Sequence, residues 1–199
     1  MKNCEIKLNS SSIKIFSFLF LFFSCGREAD IPKDTHNHDN PSKLKLVLVN
    51  AENPSDSVVA EHVVGNELGE DLAVIPGTVY NVSIKFMKRH RAGDYEMNKE
   101  FIELKDDHFI KYDFSNADII LKRREDDVVR SDGNRFGFET RWKIDSVGSE
   151  SKLNIILKHE PTRVNQDYPS SGNQWGKASG GETDYDAWFN IKDPSKNKG

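Results

Sequence analysis

Several stretches of this chain alternate between apolar and polar residues, and that alternation restricts the fold more than any other feature of the sequence. Lys43 to Val49 reads KLKLVLV, with Leu44, Leu46 and Leu48 on one face. Tyr80, Val82, Ile84 and Phe86 alternate with Asn81, Ser83 and Lys85. Phe136, Phe138, Thr140, Trp142 and Ile144 make a third such face, Leu153, Ile155 and Leu157 a fourth, and Tyr185, Ala187, Phe189 and Ile191 the last. Successive side chains of a strand point to opposite faces, so a period of two predicts strands buried on one side only, the pattern of an antiparallel sheet. Pro76-Gly77, Ser131-Asp132-Gly133-Asn134 and Ser179-Gly180-Gly181 supply turn chemistry between the runs. Tyr95 to Leu104 holds helix formers without strict alternation and is the one segment expected to be helical or irregular. With no strand–helix–strand rhythm, the expected class is all-β, an antiparallel β-sandwich of the Ig-like kind. Val164 to Ser179 reads as a long polar loop between the last two strands, a length that makes it a candidate functional segment.

The first residues have a different logic. Lys2, Lys7 and Lys14 precede an apolar run, Ile15 to Phe23, which ends in Ser24-Cys25-Gly26 and the charged Arg27 and Glu28. A positive leader, a short apolar stretch and a small residue before the cut make a secretory signal. A membrane span requires roughly 20 apolar residues, and this run is far shorter. Leu21-Phe22-Phe23-Ser24-Cys25 has the form of a lipoprotein cleavage site, with Leu four residues before the cysteine and a small residue next to it. The alternative is an ordinary secretory signal with an incidental cysteine. Lipidation of Cys25 would attach the mature chain to a membrane through several acyl chains, as stable anchoring requires. The expected organisation is a signal peptide over 1–24, a flexible linker over 25–42, a β domain over 43–193 and a disordered tail over 194–199. The two cysteines, Cys4 and Cys25, then leave neither a disulfide nor a free thiol in the mature chain.

Composition removes other classes. The formal charge is −4, and losing the leader's lysines makes the remainder more acidic still, which argues against nucleic acid as a partner. Lys122-Arg123-Arg124 is basic but runs directly into Glu125-Asp126-Asp127, and reads as a solvated hairpin end. His159-Glu160-Pro161 lacks the second histidine of a zinc-protease helix, because Arg163 stands at that position. No nucleophile elbow or phosphate-binding loop is present, so the chain is read as a binding protein rather than an enzyme.

Two histidines carry the metal expectation. His159 continues the inward face of Leu153, Ile155 and Leu157, and His108 shares a face with Ile110 and Tyr112. Histidines at strand ends sit near a rim where Asp107, Glu160, Glu182 and Asp184 can reach them, and zinc accepts such nitrogen and oxygen donors. Against this stands the plain reading that an inward histidine is hydrogen-bonded and structural. His36 and His38 in the linker form a second, local pair, which could bind metal weakly but reads first as a neutral spacer. Tyr168, Trp175 and Trp188, with Tyr185, are the aromatic residues from which a surface for a sugar or a protein could be built, without any metal. Gly180-Gly181 is read as a tight strand entry.

Three stretches together carry a resemblance: Tyr80-Asn81-Val82; Glu103 followed by Asp107-His108-Phe109; and Leu157-Lys158-His159-Glu160-Pro161 followed by Gly180-Gly181-Glu182-Thr183-Asp184 and Phe189-Asn190-Ile191. Over Leu44 to Ile191 this order resembles a family of Bacteroidota lipoproteins labelled "type 1 periplasmic binding fold superfamily protein". The resemblance implies an outer-membrane lipoprotein, facing the periplasm or the cell surface, that assists a TonB-dependent receptor in metal uptake, with zinc as the metal. The family label implies an α/β fold, whereas the alternation in this chain implies β alone.

Overall fold

Alternation becomes architecture in the computed structural model, which describes residues 40–169 and 174–196. The segment expected to be a signal peptide, Cys25 and the linker pair His36/His38 lie outside the described residues. The first strand, β1 (Lys43–Asn50), pairs antiparallel with β2 (Ser57–Val63) on one side and β4 (Val79–His90) on the other. The short β3 (Leu72–Ala73) lies between them in sequence, and β5 (Gly93–Glu96) folds back on the end of β4. A single helical turn, α1 (Asn98–Glu103), occupies the segment expected to break the alternation. It buries Phe101, while Asn98 accepts from the Phe86 amide and donates to the Ile84 carbonyl.

The centre is a long hairpin, β6 (His108–Arg123) and β7 (Glu139–His159), paired from His108↔His159 to Arg123↔Thr140. Its register shifts between Ser115 and Ala117, where Asn116 takes φ 55°. Such a bulge bends the strand pair. On one side of the bend β7 pairs with β4, and on the other with β10 (Glu182–Lys192). The outer edge of β6 takes β9 (Gln174–Ser179), which pairs with β8 (Arg163–Pro169). The strand order is therefore β2-β1-β4-β7-β6-β9-β8, with β10 bridging β7 and, in parallel, β3.

The two halves close over one core. Leu44, Leu46, Leu48, Val82, Ile84 and Phe86 from one side meet Leu153, Ile155, Leu157, Ala187 and Phe189 from the other, all 1% exposed or less. Trp142 donates to Thr140 inside it. Each inward residue is one that the sequence alternation assigns inward, and the all-β antiparallel class follows from it. The expected loop over Val164 to Ser179 is corrected: it is the hairpin β8–β9, added as a sheet edge. The tail begins with order, since Asp193 accepts from Ser195 and Lys196 donates to the Val147 carbonyl. No helix among the described residues is long and apolar enough to cross a membrane.

Candidate functional site

Two places bring together side chains that a fold alone does not require. The first lies at the open end of the β6–β7 hairpin. His108 opens β6 and His159 closes β7, and they are direct partners in the register. Residues paired across strands lie side by side, so the imidazoles stack, with ring centres 4.9 Å apart and an interplanar angle of 11°. Asp184 reaches both, with Oδ2 3.2 Å from His108 Nε2 and Oδ1 3.6 Å from His159 Nδ1. A register shift between Thr183 and Tyr185 leaves Asp184 outside the pairing and turns it inward beside the buried Tyr185.

The partners of His108 fix the orientation of its ring. Its Nδ1 lies 3.1 Å from the Leu104 carbonyl, which accepts only, so Nδ1 carries a hydrogen. Nε2, on the other side of the ring, faces the Asp184 carboxylate. The turn before His108 is clamped from the β6–β7 loop: Arg130 donates to the Lys105 and His108 carbonyls, and Asp106 accepts from the Ser131 amide and hydroxyl.

Of the residues the sequence nominated here, the structure brings together His108, His159 and Asp184. Glu160 stands at the margin, its Oε1 4.0 Å from His159 Nε2. Asp107 contributes its backbone carbonyl, which accepts from the Glu160 amide, and Glu182 pairs with His159 by backbone register. Among the described residues, no group of three or more His, Cys, Asp and Glu side chains is arranged to hold a metal. The reason is visible in the stack. An ion lies in the plane of each imidazole that binds it, and two nearly parallel rings 4.9 Å apart do not share one.

The second place is a cavity of about 360 Å3 between the β6–β7 loop and the β8–β9 hairpin, walled by Lys122, Arg123, Arg135, Gln166, Asp167 and Trp175. Ligand sites begin near 300 Å3. Arg123 was expected on a solvated hairpin end, and that is corrected: its guanidinium is drawn inward over the Phe109 ring, 4.5 Å from the centroid. Nη2 donates to the Ile110 carbonyl, while Nε and Nη1 are buried with no hydrogen-bond acceptor. Two glycines make the room. A Cβ at Gly137 (φ 112°) would fall 2.0 Å from Arg123 Nη1, and one at Gly176 (φ 83°) 2.7 Å from Nη2. Burial lowers the Arg123 pKa, an effect that Tyr112, Asp127 and Asp167 oppose.

No family model, curated protein or solved structure matches this chain.

The rest of the cavity is held firmly. Asp127 is buried and accepts from the amides of Gly137, Phe138 and Glu139. Arg135 donates through Nη1 to the carbonyls of Glu125 and Asp127, and its amide donates to Gln166 Oε1, which ties β8 to the loop. Trp175 has its indole Nε1 buried without an acceptor. Three donors on two side chains at one cavity thus lack partners, and leaving such groups unpaired costs free energy.

Of the three aromatic residues nominated from sequence, only Trp175 lines this cavity. Tyr168, next along the hairpin, lies under Lys177, whose Nζ is 4.9 Å from its ring centre. Trp188 is 41% exposed on β10, opposite Asn154 of β7. Tyr185 is buried and engages His62 through its hydroxyl, so it takes no part in a surface. Arg123 was missed, although a signal existed: it lies two residues after the inward Leu121, so alternation alone assigns it inward.

Proposed function

We propose that this chain is the binding module of an envelope lipoprotein, anchored through Cys25, and that it takes its ligand in the cavity between Arg123 and Trp175. The observation that carries this reading is the set of buried, partnerless donors on Arg123 and Trp175 beside a cavity of ligand size. Buried donors without acceptors are uncommon in folded chains, and the two side chains that carry them here both line this cavity. The lipobox, the short apolar leader and the polar segment before β1 support the anchor. Trp175→Phe is the test of the cavity: it keeps a ring packed against the core and removes the indole donor, so capture of glycans by the full chain on an array should fall about tenfold while the unfolding midpoint stays nearly unchanged. Unaltered capture would remove the cavity from the function. Labelled palmitate should enter the wild-type protein and not Cys25→Ser; label in both would end the anchor.

A second reading is metal delivery to a TonB-dependent receptor, with zinc as cargo. It is favoured by the His108 Nδ1 bond to the Leu104 carbonyl, because a metal-binding imidazole commonly donates its other nitrogen in this way. Two tetrahedral zinc ligands lie about 3.4 Å apart, and the His108–Asp184 spacing of 3.2 Å is close to that. His159 joins only by turning its ring. Zinc calorimetry on the wild type and on the His108→Ala/His159→Ala double variant decides it: tight binding lost in a folded variant supports the reading, and no heat in the wild type removes it.

A further inference from the structure

The cationic wall of the Arg123 cavity continues onto the outer face of the sheet. The register places Asn81, Arg141 and Lys122 side by side across β4, β7 and β6, and Val79, Lys143 and Ile120 in the adjacent row. Lys122 and Arg141 are thus direct cross-strand partners of like charge, an arrangement that destabilises a sheet. Both are exposed. The charges nearby are otherwise matched: Arg124 pairs with Asp126 and Glu139, and Lys143 with Asp145. For Lys122 and Arg141 no ion pair occurs among the described residues. Lys122 is common to the cavity and to this face, so the two form one continuous surface.

Inside the cavity three cations face one acid, the exposed Asp167. Asp127 is committed to three backbone amides, and Arg135 is held by carbonyls, which leave its charge uncompensated. The partnerless groups are all donors. Lys122, Arg123 and Arg135 together line the cavity, and such a set of cations takes a carboxylate or a sulfate. An indole beside it offers a flat apolar face and a donor, the combination that suits a sugar ring with a polar edge. A second row of cations farther along the same surface asks for a second negative group on the same ligand.

We infer that the ligand is an acidic polysaccharide, with one carboxylate or sulfate held in the Arg123–Trp175 cavity and further anionic residues along Lys122 and Arg141. This rests on the cavity being the ligand site and names the class of its ligand.

The test is titration of the purified full chain in neutral detergent with galacturonate hexamer, its methyl ester and a sulfated dextran hexamer. Single-stranded DNA of equal charge and vesicles of anionic phospholipid complete the panel. At least one acidic saccharide should bind, weakening as salt rises. The methyl ester, which keeps the shape and loses the charge, should bind about tenfold more weakly, as loss of hydrogen bonds to a charged group implies. Lys122→Ala/Arg141→Ala changes only exposed side chains and should weaken binding several-fold, and Trp175→Phe, which keeps the ring and removes the donor, about tenfold. Equal binding of the methyl ester with loss in Trp175→Phe would overturn the acidic class and leave the cavity standing. Binding unaffected by any of these variants would overturn both. DNA or vesicles binding as tightly as the saccharides, or no acidic saccharide binding at all, would also refute the inference.

Discussion

Asp127 is the residue on which the cavity wall depends, and replacing it with alanine has a cost that can be worked from its contacts. Its Oδ2 accepts from the Gly137 amide at 2.8 Å, and Oδ1 from Phe138 at 3.0 Å and Glu139 at 3.1 Å. The side chain is buried, so water does not replace it at Gly137 and Phe138. Two buried amides without an acceptor cost about 1–3 kcal/mol each, and the half-buried Glu139 amide adds less. Against this, the substitution relieves a buried charge, the same burial that raises the Asp127 pKa against the pull of its amide partners and Arg123. The net expectation for Asp127→Ala is a loss of about 3 kcal/mol, read as a lower urea midpoint and a melting temperature down by on the order of ten degrees. Asp127→Asn keeps an acceptor oxygen but sets an amide group against one backbone N–H, and should cost about half as much. An alanine variant within 1 kcal/mol of wild type would refute the account, as would an asparagine variant as damaged as the alanine.

His62 lies buried between the Tyr185 hydroxyl and the Asn66 carbonyl, and burial lowers its pKa below 6.5, with Asn66 and Asp186 opposing. The unfolded chain therefore binds a proton there before the native one does. Stability should be full above pH 6.5 and fall as pH drops below it, with a slope of up to about 1.4 kcal/mol per pH unit. Urea titrations of His62→Gln should lack that component; identical pH profiles would show that the ring is not the origin. Gly181 sits at φ 66° in the turn into β10, where a Cβ would fall 2.1 Å from the His159 carbonyl oxygen. Gly181→Ala should destabilise by more than about 1 kcal/mol and disturb the His159–Asp184 spacing, visible as a shift of the His159 ring proton signals in NMR. An unshifted spectrum with unchanged stability would mean that the turn has room.

Most of the fold was legible because burial on one face imposes a period of two. Leu44 to Leu48, Tyr80 to Phe86 and Leu153 to Leu157 needed nothing else. The β8–β9 hairpin was not legible. In Arg163-Val-Asn-Gln-Asp-Tyr-Pro the alternation is faint: Val164, Gln166 and Tyr168 share a half-buried face, but none is fully buried and one is polar, as an edge strand allows. The histidine pair could be placed because both ends of one hairpin carry inward positions. The inward turn of Asp184 could not, because it depends on a one-residue irregularity in β10 that moves a carboxylate across the sheet. Arg123 was hidden by its neighbours: three consecutive basic residues suggest solvent, and the glycines that admit the guanidinium lie elsewhere in the chain, Gly137 in the β6–β7 loop and Gly176 on β9.

The placement of β10 has a consequence for how the chain is made. The second half of β7, Lys152 to His159, has its neighbour on one side only once residues 182–190 have been synthesised. The core that Ala187, Phe189 and Ile191 complete is open until then. Most of the pairings that matter join distant segments, and such topologies fold slowly. A nascent chain of this design therefore leaves one edge of β7 open until residues 182–190 have been made, although β6 already pairs along its other edge. Any product truncated before β10 keeps that edge and the core beneath it open, and is a ready substrate for proteases.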